Sequence, residues 1–259
     1  MTAVETILVA FAMFSALPLP QPVWTARNMR YTLCAFPLIG LVCGGLWWLW
    51  CALCAQFPVP DLLRGAVLCL LPVLVTGGIH LDGFADTWDA LASCAPPEKK
   101  QEILKDPRCG AFAVIHLGGY FVMYLALAAA LEPTPRALGA MGLAFVLERA
   151  LSGLAVSRFP QAKNTGLAHT FATAADRKVV GRVLIALCVL TGGGLIAAAG
   201  WTGGAVLAAG LWTFWRYYRT ALRQFGGLSG DLAGWFLQRA ELWMLAALGC
   251  CQIIEEGLA

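Results

Sequence analysis

Three aspartates, Asp82, Asp86 and Asp89, fall within the stretch GGIHLDGFADTWD that runs from Gly77 to Asp89. On a helix they stand at i, i+4 and i+7, so their carboxylates share one face. Like charges at that spacing repel, and ionised groups at a membrane boundary are costly, so the triplet calls for a cation. Oxygen donors without cysteine or a histidine pair favour a hard divalent ion. Mg²⁺ is the first choice and Mn²⁺ the second, because Mg²⁺ commonly bridges protein carboxylates to substrate phosphates. The chemistry this suggests is phosphoryl transfer. A solvated acidic helix face is the competing reading, but Asp82 follows directly on an apolar run and has Phe84 and Trp88 nearby. His80 is either a structural histidine near a helix end or a proton carrier and phosphate contact.

Two further segments carry candidate binding groups. In KDPRCGAF, Lys105 and Arg108 could hold phosphates while Gly110 admits a close backbone approach; a positive anchor at the membrane face explains the same charges. In GGLSGDLAG, Gly226 and Gly227 precede Asp231, and Arg219 and Arg223 come just before them. Glycines beside a carboxylate at a helix start can form an anion-binding loop that also offers a metal ligand, although a helix cap accounts for Asp231 as well.

The elements that must position these groups are membrane helices. Of 259 residues, 59% are hydrophobic and only 13% charged, and the mean hydropathy is +0.72. The apolar runs predict an all-α, polytopic bundle forming a single domain over 1–259, with about eight spans, roughly at 3–17, 34–57, 62–80, 111–131, 137–157, 183–199, 202–218 and 233–254. The apolar start has Glu5 and no early basic residue, unlike a cleaved signal, and is read as a short first span. Basic residues concentrate in alternate loops: Arg27 and Arg30, Lys99 to Arg108, Arg158 to Arg182, and Arg216 to Arg223. Retention of positive charge on the cytoplasmic side then predicts that every polar motif shares that face, with both termini outside. A net charge of +3 without a basic tract argues against nucleic acid as a partner. Most of the ten cysteines, including the Cys51–Cys54 pair, lie in apolar runs and read as packing residues.

HLDGFADTWDAL, KDPRCGAF and GGLSGDLAG, in this order among apolar spans, resemble the cobalamin synthase (adenosylcobinamide-GDP ribazoletransferase) family. The likeness covers most of the chain, including Leu17-Pro18-Leu19-Pro20, Phe36 to Gly40, and a central segment with Pro160, Lys163, Gly166 and Leu167. Departures from the family pattern are Ala16, Ala90, Pro107, Cys109 and Ser229; none removes an expected metal ligand.

The resemblance implies attack of the 3′-hydroxyl of α-ribazole or α-ribazole 5′-phosphate on adenosylcobinamide-GDP, with release of GMP, at the cytoplasmic face of a bacterial inner membrane. In that reading Asp82, Asp86, Asp89 and Asp231 are the Mg²⁺ ligands. The proton acceptor is Asp89, Asp231 or His80, and Asp82 is counted with them among the catalytic residues. Lys105, Arg108, Gly110, Arg219, Arg223, Gly226 and Gly227 contact substrate. A homo-oligomer is compatible with the sequence. The rival readings are a CDP-alcohol or prenyl-diphosphate transferase, and a secondary transporter using the aspartates as intramembrane ion sites.

Overall fold

A computed structural model of the chain describes residues 2–20, 22–162 and 165–258; Lys163 lies outside them. Among the described residues the regular structure is helical, apart from one isolated bridge between Gln161 and Leu228. Helix α1 spans Thr2–Phe14, and two short turns, α2 (Ala26–Met29) and α3 (Thr32–Ala35), lead into α4 (Pro37–Cys54). They are followed by α5 (Asp61–Thr76), α6 (Ile79–Ala92), α7 (Pro97–Ile103) and α8 (Ala111–Ala130). The chain ends with α9 (Pro135–Arg158), α10 (Leu167–Ala174), α11 (Arg177–Phe225) and α12 (Gly230–Leu258).

Four helical stretches are long and apolar enough to cross a bilayer: Thr32–Cys54, Ala111–Ala130, Pro135–Arg158 and Arg177–Phe225; counting α5 with α6 makes five. The expected count of about eight is therefore not reached by this measure, which also leaves out the 29-residue α12, and two of the expected spans differ for local reasons. First, α1 has 13 residues, about 20 Å of helix, and does not traverse the bundle. Ala3 and Thr6 near its start share a cavity with Arg27 and Arg30, while Phe14 at its end shares one with His80 and Asp82. Both ends of α1 thus lie at the end of the bundle that carries the acidic motif, and the N-terminal segment is on that side rather than opposite it. Second, the third span stops early. Gly77 and Gly78 both have left-handed backbone (φ 64° and 79°), which ends α5 and turns α6 away by 96°. The expected sixth and seventh spans are the two legs of α11, separated by a non-helical kink at Gly200 (φ 59°, ψ −131°). There the chain doubles back: Gly192 packs on the Leu207 side chain, and Gly203 abuts the Leu195 carbonyl.

The bundle has two distinct ends. At one, Arg136 binds the carbonyl of Ala199 and the carboxylate of Glu255, and Arg64 binds the carbonyls of Ala129 and Leu131. At the other end lie α6, α7, α10 and the loops around 104–110, 160–169 and 226–231. The expectation that the polar motifs share one end holds, because α4, α5, α8, α9, α12 and both legs of α11 run between the two.

Small residues let these helices approach closely. A Cβ on Gly44 would stand 2.7 Å from the Cα of Gly142, and one on Gly65 2.6 Å from the nitrogen of Ala129. In the core between α9 and α12, Arg149 pairs with Glu148 and, at 3.2 Å, with Glu241. All three side chains are fully buried, and Tyr120 completes the network by donating to Glu241 at 3.5 Å. The cysteines are free thiols; Cys43, Cys51, Cys69 and Cys251 are buried, Cys34, Cys54 and Cys188 half-buried, and Cys94, Cys109 and Cys250 exposed. Trp47 is buried and donates to the carbonyl of Leu68, and Trp235 packs edge-on against Trp88, so both are packing residues; Trp48, Trp212 and Trp215 are exposed.

Candidate active site

The acidic motif forms α6; Asp82 borders a cavity together with Asp231 of α12, Asp86 feels the charges of Asp82, Asp231 and Asp89, and the face that meets α12 carries Gly83. That face is built on two glycines. A Cβ on Gly83 would lie 2.7 Å from the backbone of Asp231, and a Cβ on Gly234 2.8 Å from the carbonyl of His80. The two helices cross backbone to backbone, so the start of α12 delivers Asp231 directly to the α6 carboxylates. At 14 residues α6 is too short to cross a bilayer alone and lies outside the four spanning helices. Its Asp86 carboxyl is pushed up to about 6, first by burial and then by Asp82, Asp231 and Asp89.

Asp89 has a further partner. Its two carboxylate oxygens accept the backbone N–H groups of Gly110 (2.6 Å) and Ala113 (3.0 Å), which clamps the start of α8. Gly110 is a glycine because any side chain there would collide with that carboxylate. The close approach expected at Gly110 is therefore made by Asp89.

The glycines before Asp231 also act on backbone. Gly226 closes α11 in a left-handed conformation (φ 71°). A Cβ on Gly227 would lie 2.5 Å from the nitrogen of Ala162. This contact lets Leu228 donate to the Pro160 carbonyl at 2.8 Å and accept from Ala162 at 2.9 Å, tying the 160–162 segment to the start of α12.

Two adjoining cavities open beside Asp231. One, of about 310 Å³, is bordered by His80, Asp82 and Asp231 and by Phe14, Phe36 and Phe171. His80 is buried there, with its ring edge-on to Phe36 at 5.9 Å and its Nδ1 without a hydrogen-bond partner. The other, of about 250 Å³, is bordered by Lys105, His169, Ser229 and Asp231. Leu167, Ala168, Gly230 and Asp231 belong to both.

Of the residues expected to bind substrate, Lys105 reaches this site. Arg108 turns outward and binds Asp106 at 2.7 Å, holding that carboxyl down at about 2. Arg219 and Arg223 border a separate depression with Arg216, Thr220 and Gln224, and Arg219 stacks on Trp215. His169, Phe14 and Phe171 were not anticipated. No local pattern marks them, since α1, α10 and α12 meet only in the folded chain. Glu148 and Arg149 did leave a signal: two adjacent charges inside an apolar run.

A divalent ion suits this donor set. Asp86 feels three other carboxylates, and the oxygens are hard donors. No three His, Cys, Asp or Glu residues among those described already form a metal cage. The arrangement fits an ion such as Mg²⁺, which uses one or two protein carboxylates and completes its shell with water and substrate phosphate.

With this geometry in place, the sequence profile of a family described as cobalamin-5-phosphate synthase matches residues 6–249, which is most of the chain. The chain belongs to that family. Similar relatives include proteins named adenosylcobinamide-GDP ribazoletransferase from Lachnoclostridium phytofermentans, Pseudomonas putida and Desulfitobacterium hafniense. The first is 39% identical, covering 98% of this chain and 95% of the relative. The second is 35% identical over 93% and 96%, and the third 32% over 95% and 96%. No solved structure matches the chain. As a member of the cobalamin-5-phosphate synthase family it carries the acidic helix α6, the KDPRCGAF loop and the GGLSGDLAG loop at one end of the bundle.

Proposed function

We propose that this chain is an adenosylcobinamide-GDP ribazoletransferase, joining adenosylcobinamide-GDP to α-ribazole or its 5′-phosphate at the cytoplasmic face of a bacterial inner membrane. The observation that carries the reading is the α6–α12 crossing, which gathers Asp82, Asp86 and Asp231 beside two small cavities in a chain of this family.

In the reaction the 3′-oxygen of the nucleoside forms a bond to the phosphorus on the corrinoid's aminopropanol side. The bond from that phosphorus to the bridging oxygen breaks, and GMP leaves with that oxygen. The hydroxyl proton passes to a neighbouring base. Asp82, Asp86 and Asp231 would hold Mg²⁺, with Asp89 contributing through the lone pairs that its two N–H contacts leave free. When bound, the ion neutralises charge on the diphosphate and on the leaving phosphate. Asp231 borders both cavities and is the proton acceptor best supported by position, while His80 lines the cavity wall. Lys105 supplies positive charge at the second cavity.

Purified protein in lipid nanodiscs, given both substrates, should release GMP and form the corrinoid product with Mg²⁺ or Mn²⁺ and not with EDTA. Asp82→Ala, still folded, should be inactive. Correctly folded wild type that yields no GMP with either metal overturns the reading.

A further inference from the structure

Resting on the proposed reaction, we infer that the two adjoining cavities form a divided site for the nucleoside substrate, the 310 Å³ cavity taking its base and the 250 Å³ cavity its 5′-phosphate. Their junction at Asp231 then receives the ribose.

Size decides which substrate enters. The larger cavity is at the small end of the roughly 300–1,000 Å³ that ligand pockets span. It holds a flat heterocycle with part of a sugar, and a corrin ring with its side chains is several times too large. Chemistry decides which base. Phe14 lies 4.6 Å from Phe36 and 5.3 Å from Phe171 between ring centroids, making an aromatic wall. Apart from the two carboxylates, only His80 and Ser152 bring polar side chains to the lining. With Asp82 and Asp231 engaged by the ion in the proposed reaction, a guanine would find only His80 and Ser152 for its hydrogen-bonding edge, at a cost in desolvation. The flat, largely apolar base of α-ribazole loses little and gains aromatic contact.

The second cavity has the opposite character. Lys105 brings a positive charge, His169 keeps its Nδ1 buried and without a hydrogen-bond partner, and the 29-residue helix α12 begins at the cavity edge with its positive end. Asp231 is the acidic group bordering this space, and Lys105 offsets it. A phosphate fits these partners. In a nucleotide the base and the 5′-phosphate leave the ribose at opposite ends. Filling both cavities therefore sets the ribose and its 3′-hydroxyl at the shared wall of Leu167, Ala168, Gly230 and Asp231, next to Asp82.

The test is direct binding by calorimetry, with protein in nanodiscs and Mg²⁺ present, titrating α-ribazole and α-ribazole 5′-phosphate separately. His169→Gln should weaken the 5′-phosphate at least fivefold more than the nucleoside. Leu167→Trp, at a half-exposed position bordering both cavities, should weaken both at least tenfold and leave adenosylcobinamide-GDP binding within twofold. Equal losses for the two nucleosides in His169→Gln, or unchanged nucleoside binding in Leu167→Trp, overturn the divided site. Wild type that binds both nucleosides with this pattern but releases no GMP instead overturns the reaction and leaves the site standing.

Discussion

The backbone of Asp231 lies 2.7 Å from the point where a Cβ on Gly83 would stand. Real side chains do not tolerate that separation, so Gly83→Ala must push α6 away from α12. Because the carboxylates of Asp82 and Asp86 reach Asp231 only through this crossing, activity should fall at least tenfold. A misplacement of about 1 Å can cost on the order of 10²-fold in rate. GMP release by protein that remains folded on gel filtration checks this; unchanged turnover in Gly83→Ala would mean that the crossing does not set the chemistry.

Divalent ions should be required. Chelation is expected to abolish GMP release, and Asp82→Asn and Asp231→Asn should each lower it by roughly 10²–10³, the range seen when one group stabilising transition-state charge is removed. Titrating Mg²⁺ against each variant provides the readout. Variants as active as wild type at low Mg²⁺ would remove these aspartates from the metal site.

Asp89 and Gly110 should act together on stability. Asp89→Ala removes the acceptor for two N–H groups at the start of α8 and should cost about 1 kcal/mol, the usual value of a helix cap. Gly110→Ala displaces the same carboxylate and should lower the melting temperature similarly. If the two changes are coupled through one contact, the double variant loses less than the sum of the singles.

Arg149 should be indispensable while Glu148 and Glu241 remain buried beside it, and replaceable together with them. Removing it by Arg149→Ala leaves Glu148 and Glu241 buried without their cation and is expected to cost about 3–5 kcal/mol. Replacing all three with Leu or Met of similar volume should recover most of the loss. Thermal unfolding in detergent reads both; a triple variant no better than Arg149→Ala would show that the network has a role beyond charge balance.

The crowded carboxylates predict a pH dependence. In the folded chain Asp86 titrates at about 6, above its unfolded value of about 4. Between those values the native state binds more protons than the unfolded one, so stability falls as pH rises through that window. Metal-free protein should melt at a higher temperature at pH 5 than at pH 7, and Asp86→Asn should reduce that difference. A larger pH dependence in the variant than in wild type would overturn the assignment.

The sequence by itself determined the apolar helical class and the family. Long apolar runs require helices, because a bilayer leaves backbone groups no other way to be satisfied. Aspartates at i, i+4 and i+7 must share a face once that segment is helical, and the order of three motifs identified the family. Loop charge also brought the motifs to one end correctly. Tertiary structure decided what spacing along one chain cannot. Whether α1 crosses and where Gly77-Gly78 turns α6 depend on neighbouring helices and on single left-handed glycines, to which an average over apolar residues is blind, whereas the break at Gly200 is already legible between the expected sixth and seventh spans. Side-chain roles were divided the same way. Asp89 became a clamp because α8 begins beside it, and Arg108 turned outward to Asp106. His169 joined the site because residues 160–162 pair with Leu228, a contact between segments more than 60 residues apart, for which local sequence carries no signal.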